Sequence, residues 1–184
     1  MTGSPPPADF PKLTLVTGGA RSGKSSWAEG LAKASDRPRR YIATAQAFDT
    51  EMQDRIARHR DQRGTGWTTV EAPLELAAAL AQARPGEVVL VDCLTLWLTN
   101  HMLAGHNLPA QAGQLAQALA ACPAPVIAVT NEVGWGIVPE NALARAFRDE
   151  QGRLNQRLAA EAELVVGVMA GLPLVLKGKL PVGI

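Results

Sequence analysis

The stretch that decides the fold is LTLVTGGARSGKS, residues 13–25. Its first part, Leu13–Thr17, is apolar and β-branched and predicts a short buried strand. The next eight residues match the phosphate-loop pattern G-x-x-x-x-G-K-[ST], and Lys24–Ala34 then predicts a helix. In this context the glycines let successive backbone N–H groups point at phosphate oxygens, at the positive end of a helix dipole. The chain is therefore expected to bind a nucleoside triphosphate.

The residues of this loop have separate expected roles. Lys24 is expected to reach the β- and γ-phosphates, and Ser25 is expected to bind Mg²⁺. A glycine-rich turn with a chance lysine is the alternative, and the strand before the loop and the helix after it argue against that. The nucleotide-binding residues predicted here are Gly18, Gly19, Ala20, Arg21, Ser22, Gly23, Lys24 and Ser25.

Strands and helices alternate along the rest of the chain. Continuous apolar runs predict strands covered on both faces, as in a parallel sheet, at Leu13–Thr17, Tyr41–Thr44, Val88–Asp92, Val126–Thr130 and Leu164–Met169. Mostly Ala-rich, proline-free segments predict helices at Lys24–Ala34, Glu51–Arg63, Leu74–Ala83, Ala110–Ala121 and Glu140–Ala162. Weaker candidates are a short strand at Trp67–Glu71 and an edge hairpin formed by Leu174–Leu176 with Leu164–Met169.

This alternation predicts an α/β fold resembling P-loop NTPases: a doubly wound, mostly parallel sheet with helices on both faces. Ligands of such sheets bind at the carboxyl ends of the strands. With 184 residues, 47% hydrophobic and 19% charged, one globular domain is expected at residues 12–184, after a flexible Pro-rich tail at residues 1–11.

Charge and composition exclude several other classes. The 18 Lys and Arg against 17 Asp and Glu give a formal charge of +1, so no overall field favours nucleic acid or an anionic membrane. The start lacks a secretory signal pattern and no apolar run approaches a membrane span, so a cytoplasmic location is expected. Cys93 and Cys122 fit no metal-ligand or redox spacing and are interpreted as reduced cytosolic thiols.

A carboxylate, Asp92, ends the apolar strand Val88–Asp92. The spacing allows a central strand adjacent to the phosphate-loop strand, with its end facing the same phosphates. Asp92 is then expected to bind Mg²⁺ directly or through water. A simple helix cap is the alternative.

Residues 51–63 carry four arginines and one histidine. On a helix, Arg55, His59 and Arg63 fall at i, i+4 and i+8 on one face, which suits a polyphosphate. Neighbouring positive charge lowers the pKa of an imidazole and keeps His59 neutral and nucleophilic. A solvated basic helix is the alternative, because charge runs usually face water.

The second half of the chain has two further polar segments. Asn131 and Glu132 fall at the carboxyl end of a predicted strand, beside a Gly-rich turn, and a purely structural turn is the alternative. Residues 145–157 are polar for a core helix and suit a ligand cleft or a subunit contact. By contrast, His101 and His106 are predicted to lie in a loop without a basic setting.

The chain resembles the bifunctional adenosylcobinamide kinase/adenosylcobinamide-phosphate guanylyltransferases of cobalamin biosynthesis. The resemblance rests on TGGARSGKS, YIATAQ, DTEMQDRIARHRDQR, WTTVEAP, the Asp92-Cys93 strand end, TNEVGWGIVPEN and RAFRDEQGRLNQRLA, between Leu13 and Ala170. Many nucleotide enzymes share the first motif, whereas NEVGWGIVPEN followed by RAFRDEQGRLNQ is highly specific.

The resemblance implies two activities. ATP or GTP phosphorylates the aminopropanol hydroxyl of adenosylcobinamide, and GTP then converts the phosphate to adenosylcobinamide-GDP through a GMP–histidine intermediate, releasing pyrophosphate. It implies that His59 is the guanylylated residue, acting with Lys24, although some relatives carry two adjacent histidines at Arg58-His59. A homo-oligomer, a trimer, is also implied. Nucleotide contacts are implied at Thr44, Ala45, Gln46, Arg60, Asp61, Gln62, Arg63, Glu71 and Asp92.

Two other functions are compatible with the phosphate loop. One is a small-molecule kinase without a covalent step. The other is a nucleotide-dependent switch protein, which lacks support because no N-K-x-D-like guanine-selecting element is present. The switch interpretation also leaves the arginine-rich segment without a role.

Overall fold

The computed structural model describes residues 10–46 and 63–181. Predictions for residues 1–9, 47–62 and 182–184 lie outside these ranges, among them the helix predicted at Glu51–Arg63 apart from its last residue. The described strands are β1 (Leu13–Thr17), β2 (Arg39–Ala43), β3 (Trp67–Glu71), β4 (Val88–Asp92), β5 (Val126–Val129), β6 (Leu164–Met169) and β7 (Leu172–Lys177). The described helices are α1 (Lys24–Ala34), α2 (Leu76–Ala81), α3 (Leu94–Leu103), α4 (Leu108–Ala121) and α5 (Ala142–Glu161).

These strands form one seven-stranded sheet in the order β3-β2-β4-β5-β1-β6-β7. All neighbouring pairs are parallel except β6 and β7, which form the antiparallel edge hairpin predicted from the sequence. The predicted α/β fold with a mostly parallel sheet is confirmed. Because parallel strands share one direction, the ends of β1, β2, β3, β4 and β5 meet at one edge of the sheet.

Apolar side chains fill both faces of the sheet. Leu15 packs into one cluster with Leu94 and Leu154, while its neighbour Val16 packs into a second cluster with Leu31, and each is at most 1% exposed. Successive strand residues point to opposite faces, so a strand covered on both sides needs a continuous apolar run. This packing explains why the strand signal is unbroken rather than alternating.

Helix α3 is an element that the sequence pattern does not predict. Six of its residues are buried, and three of these are polar (Thr95, Asn100 and His101), so apolar and polar residues are not separated onto two faces of the helix. A helix without this separation lacks the 3.6-residue contrast that reveals an amphipathic helix. The prediction that His101 lies in a loop is therefore wrong, because His101 belongs to the last turn of α3.

The last two residues of the predicted Pro-rich tail, Phe10 and Pro11, are buried. Phe10 is 9% exposed, packs with the cluster around Val16, and lies 5.9 Å from the guanidinium carbon of Arg37. None of the helices in the described parts of the chain has the length and hydropathy of a membrane span.

Candidate nucleotide site

The phosphate loop, residues 18–25, joins β1 to α1 and depends on glycine at two positions. A Cβ on Gly18 would lie 2.5 Å from the carbonyl oxygen of Val168, and Gly23 has a φ of 92°, in the left-handed region. The N–H of Ser22 donates to the carbonyl oxygen of Gly19 at 3.3 Å, which closes the turn. The loop is thus held against β6 by backbone geometry.

The polar groups of this loop fit a phosphate. Helix α1 begins without a side-chain cap and has no acidic residue in its first turn. Ser22 Oγ is buried and has no hydrogen-bond partner among the described residues. Lys24 is buried, and its Nζ donates to the carbonyl oxygen of Gly19 at 3.1 Å. Uncapped N–H groups, an unpaired hydroxyl and a lysine together form an anion-binding concavity.

Asp92 lies at the end of β4, where its Oδ2 accepts a hydrogen bond from the Tyr41 hydroxyl at 3.0 Å. The expected adjacency of this strand to the phosphate-loop strand is wrong, since β5 lies between β1 and β4. The short apolar run of β5 pairs with both neighbours and so occupies the central position. With strands spaced about 4.8 Å apart, the ends of β1 and β4 are about 10 Å from each other.

Ser25 and Asp92 fit a Mg²⁺ ion that is bound mostly by phosphate and water. Among residues 10–46 and 63–181, no group of three or more His, Cys, Asp or Glu side chains is arranged to hold a metal ion. Mg²⁺ in nucleotide enzymes needs only one or two protein oxygens in addition to substrate phosphates. A half-buried hydroxyl in the first turn of α1 and a carboxylate at the facing strand end supply oxygens of this kind.

Thr44, which follows β2, ties the ends of two strands together. Its hydroxyl donates to the carbonyl oxygen of Cys93 at 2.7 Å and is the acceptor for the Cys93 N–H at 2.9 Å. The Thr44 carbonyl accepts a hydrogen bond from Asn100 Nδ2 at 2.9 Å. Ala45 and Gln46 continue this edge and are half-buried. Asn100 thus holds the backbone that follows β2, a contact that the sequence does not reveal.

Arg63 is buried beside two aromatic rings instead of pointing into solvent. Its guanidinium carbon lies 3.5 Å from the ring centroid of Tyr41 and 5.6 Å from that of Trp67, and its Nη2 donates to Thr69 Oγ1. Glu71 is exposed at the end of β3, two strands from Asp92. The other members of the predicted arginine-rich set, His59, Arg60, Asp61 and Gln62, lie outside the described residues.

The end of β5 is held by a buried network of polar side chains. Thr130 Oγ1 donates to Asn155 Oδ1 at 2.7 Å and accepts from Gln151 Nε2 at 2.9 Å. Asn155 Nδ2 donates to the carbonyl oxygen of Asn131 at 3.1 Å. Thr130 and Gln151 are fully buried. The polar face of residues 145–157 thus serves in part to anchor the strand end.

Beyond this network the chain becomes exposed. Trp135 is 81% exposed and Ile137 is 97% exposed, in the loop that connects β5 to α5. Arg145 Nη1 donates to the Pro139 carbonyl oxygen at 2.8 Å, which ties this loop to the first turn of α5. Large apolar side chains are therefore presented at the carboxyl edge of the sheet.

Two histidines contact each other, and a buried cysteine has an environment that does not suit nucleophilic catalysis. Nδ1 of His101 lies 2.8 Å from Nδ1 of His106, and burial lowers the pKa of His101. Burial, followed by the Asp92 carboxylate, raises the pKa of the Cys93 thiol to about 11. A thiol with that pKa stays protonated at neutral pH. Cys93 and Cys122 are both free and buried.

The parallel sheet, the glycine loop at the start of α1 and the carboxylate at a facing strand end define a P-loop nucleotide-binding enzyme. The model of the cobinamide kinase/cobinamide phosphate guanyltransferase family matches residues 14–176. The chain belongs to this family. Its function is accordingly that of a cobinamide kinase and cobinamide phosphate guanylyltransferase of cobalamin biosynthesis, as the sequence motifs predict.

Individual relatives support the membership of this chain in the family. The bifunctional adenosylcobalamin biosynthesis protein CobP of Pseudomonas aeruginosa is 49% identical over 168 residues, which cover 90% of this chain and 97% of the relative. The bifunctional protein CobU of Salmonella typhimurium is 45% identical over 182 residues, covering 90% and 99%. A crystal structure of the RadB recombinase superposes with a TM-score of 0.51 at 19% identity over 85% of this chain and 74% of that one. That likeness concerns the fold alone.

Proposed function

We propose that this chain catalyses both reactions with nucleotide bound at the phosphate loop and Mg²⁺, and that His59 carries GMP in the second reaction. In the first, ATP or GTP phosphorylates the hydroxyl of adenosylcobinamide. In the second, GTP gives adenosylcobinamide-GDP and pyrophosphate. The observation that carries the proposal is the set of phosphate-directed groups around Ser22 and Lys24.

The phosphoryl-transfer step requires mainly positioning and neutralisation of charge. The N–H groups at the start of α1 and the ammonium of Lys24 would hold the β- and γ-phosphates as charge moves to the leaving oxygen. Bound Mg²⁺ would neutralise charge on the same phosphates. Ser25 and Asp92 are the residues proposed to hold the ion.

The guanylyl-transfer step divides one displacement into two. His59 attacks the α-phosphorus of GTP, the bond from this phosphorus to the bridging oxygen breaks, and pyrophosphate leaves with that electron pair. A phosphate oxygen of adenosylcobinamide phosphate then displaces His59 from GMP. Arginines near the departing pyrophosphate stabilise its charge. Because like charge around an imidazole disfavours its protonation, the arginine-rich sequence at residues 55–63 supports this role of His59.

The covalent step is tested with GTP labelled in the α-phosphate, followed by denaturing electrophoresis. Label should remain on the wild-type chain, be stable in base and be released by acid, as for a phosphoramidate. The variant His59→Ala should lose this label and GMP transfer while it still phosphorylates adenosylcobinamide, because direct γ-phosphoryl transfer needs no enzyme nucleophile. His106→Ala, a change at an exposed histidine, is the matched control and should retain the label.

Other outcomes would support other functions. Absence of label on the wild-type chain together with active phosphorylation of adenosylcobinamide would indicate the small-molecule kinase without a covalent step. GTP hydrolysis that needs no corrinoid acceptor would indicate the switch protein. Equal loss of both reactions in a folded His59→Ala variant would make His59 a shared binding residue.

We further propose a cytoplasmic homo-oligomer, with the trimer implied by the family resemblance. Strand β7 supports self-association, because Leu172, Leu174 and Leu176 at this sheet edge are 58–71% exposed. Exposed apolar side chains on an edge strand are a common site of chain–chain contact. The mass in solution, measured by light scattering of the wild-type chain and of Leu174→Lys, tests this proposal. A monomeric wild type would contradict it.

A further inference from the structure

The end of β5 lies between the phosphate-loop strand and the strand that ends at Asp92. The backbone N–H of Glu132 donates to the carbonyl oxygen of Gly18 at 3.0 Å. This bond ties residue 132 to the first glycine of the phosphate loop. The γ-phosphate of a nucleotide held by this loop therefore lies at the edge of the sheet to which Glu132 belongs.

The Glu132 side chain is held in one orientation. Its Oε1 accepts a hydrogen bond from the N–H of Gly134 at 2.6 Å, and the residue is half-buried. Since this bond involves one carboxylate oxygen, the second oxygen remains as a potential proton acceptor. The backbone before it is fixed through Asn131, whose carbonyl is bound by Asn155.

The other acids at this edge are less well placed to act on a hydroxyl beside the γ-phosphate. The Asp92 carboxylate accepts from Tyr41 and ends a strand about 10 Å from β1. Glu71 ends β3, four strand spacings or about 19 Å from β1. Strand β5 is one spacing, about 5 Å, from β1. A general base must reach to within about 3 Å of its proton, directly or through one water, which favours Glu132.

We propose that the Glu132 carboxylate is the general base of the kinase reaction. Resting on the proposed kinase function, this inference adds the group that removes the proton of the acceptor hydroxyl. The O–H bond breaks and its proton passes to Glu132, while the oxygen forms a bond to the γ-phosphorus. The bond from the γ-phosphorus to the bridging oxygen breaks, and the nucleoside diphosphate leaves with that electron pair. Glu132 later returns the proton to water.

The guanylyl transfer needs no such base, which provides the test. Its acceptor is a phosphate group, which is ionised at neutral pH. Glu132→Gln keeps an oxygen that accepts from Gly134 and keeps the backbone bond to Gly18, but removes the charge. This variant should lose about 10²–10⁴-fold in kcat for phosphorylation of adenosylcobinamide. It should retain nucleotide affinity and GMP transfer to added adenosylcobinamide phosphate.

Glu140→Gln, at an exposed acid of the same loop, is the matched control and should keep both reactions. Thermal unfolding of both variants establishes that they are folded. Undiminished phosphorylation by Glu132→Gln would overturn the assignment, and so would equal loss of both reactions, because a base for the hydroxyl has no part in GMP transfer. A wild-type chain that does not phosphorylate adenosylcobinamide would instead contradict the kinase function itself.

Discussion

The hydroxyl of Tyr41 donates a hydrogen bond to Asp92 Oδ2 across the neighbouring strands β2 and β4, at 3.0 Å. Tyr41 is 5% exposed, and the Arg63 guanidinium covers its ring. Burial first, and the Asp92 carboxylate second, raise the pKa of the phenol far above its ordinary value. The proposed magnesium ligand is therefore oriented by a buried neutral donor, an arrangement that fixes the direction of a carboxylate.

This environment predicts an unusual alkaline titration. Tyr41 is the only tyrosine of the sequence, so phenolate absorbance reports on it alone. In denaturant it should ionise near pH 10, whereas the native protein should show no phenolate at that pH. Because folding raises the pKa of Tyr41, its protonated phenol contributes to the free energy of unfolding below pH 10. This contribution is lost as the pH rises further, by up to about 1.4 kcal/mol per pH unit. Tyr41→Phe should lack this loss, and native ionisation near pH 10 would contradict the prediction.

The Asp92→Asn variant should bind Mg²⁺ more weakly, with a smaller effect on nucleotide binding. If Asp92 acts through Mg²⁺, the concentration of Mg²⁺ needed for half-maximal activity should rise by about 10-fold or more, with a smaller change in nucleotide affinity. Titration of Mg²⁺ in the kinase assay measures this. Asp149→Asn, an exposed change on α5, should leave the requirement as in the wild type. An unchanged requirement in Asp92→Asn would exclude Asp92 as a ligand.

The fold and the phosphate loop are the parts most directly predicted by the sequence. Leu13–Thr17 and Val88–Asp92 are strands with the predicted bounds, because continuous apolar runs are what a sheet covered on both faces requires. The loop is equally readable, since the spacing of Gly18, Gly23 and Lys24 follows from local backbone geometry. The position of these loop residues at the carboxyl edge of the sheet then follows from the parallel topology.

Contacts between residues that are far apart in the sequence are not predicted by local sequence patterns. The contacts of Thr130 with Asn155 and of Thr44 with Asn100 join residues 25 and 56 positions apart. Such pairs have no periodicity, and the strand order that brings them together places β5 between β1 and β4. Arg63 illustrates the same limit, since its stacking on Tyr41 depends on how β2 and β3 pair.

Lys24→Ala should greatly slow both reactions without unfolding the protein. The two transfers are proposed to use the same phosphate loop, and loss of one charged contact to the reacting phosphates is expected to cost about 10²–10³ in rate. Lys33→Ala changes an exposed lysine of the same helix and should be as active as the wild type. Rates of phosphorylation and of GMP transfer, each measured with folded protein, are compared. A folded Lys24→Ala variant with near wild-type transfer would refute the role of the loop.

Gly18 and Gly19 should respond differently to the same substitution. A Cβ on Gly18 would lie 2.5 Å from the Val168 carbonyl oxygen and 2.6 Å from Ser22 Oγ, whereas a Cβ on Gly19 meets no heavy atom within 4 Å. Gly18→Ala is therefore expected to lower the free energy of unfolding by about 1–3 kcal/mol and to weaken nucleotide binding. Gly19→Ala should leave stability unchanged in chemical denaturation. Equal stability of the two variants would show that the phosphate loop can move away from β6 without a loss in the free energy of unfolding.

Asn155→Ala tests whether the buried network at the end of β5 positions the catalytic edge. The substitution removes the acceptor of Thr130 and the donor to the Asn131 carbonyl, and leaves buried polar groups unpaired at a cost of about 1–3 kcal/mol. Asn141→Ala removes the side chain that caps α5 through Leu143 and Ala144, at a cost of about 0.5–2 kcal/mol.

The two asparagine variants should therefore lose comparable stability, but only Asn155→Ala should lower kcat for phosphorylation. The reason is that the backbone of Asn131 leads directly into Glu132, whose N–H is bonded to Gly18. The assay is run well below both unfolding transitions, so that a fall in kcat reflects position rather than the fraction of folded protein. Equal activity of the two variants, at equal folded fraction, would mean that the network stabilises the fold without positioning Glu132.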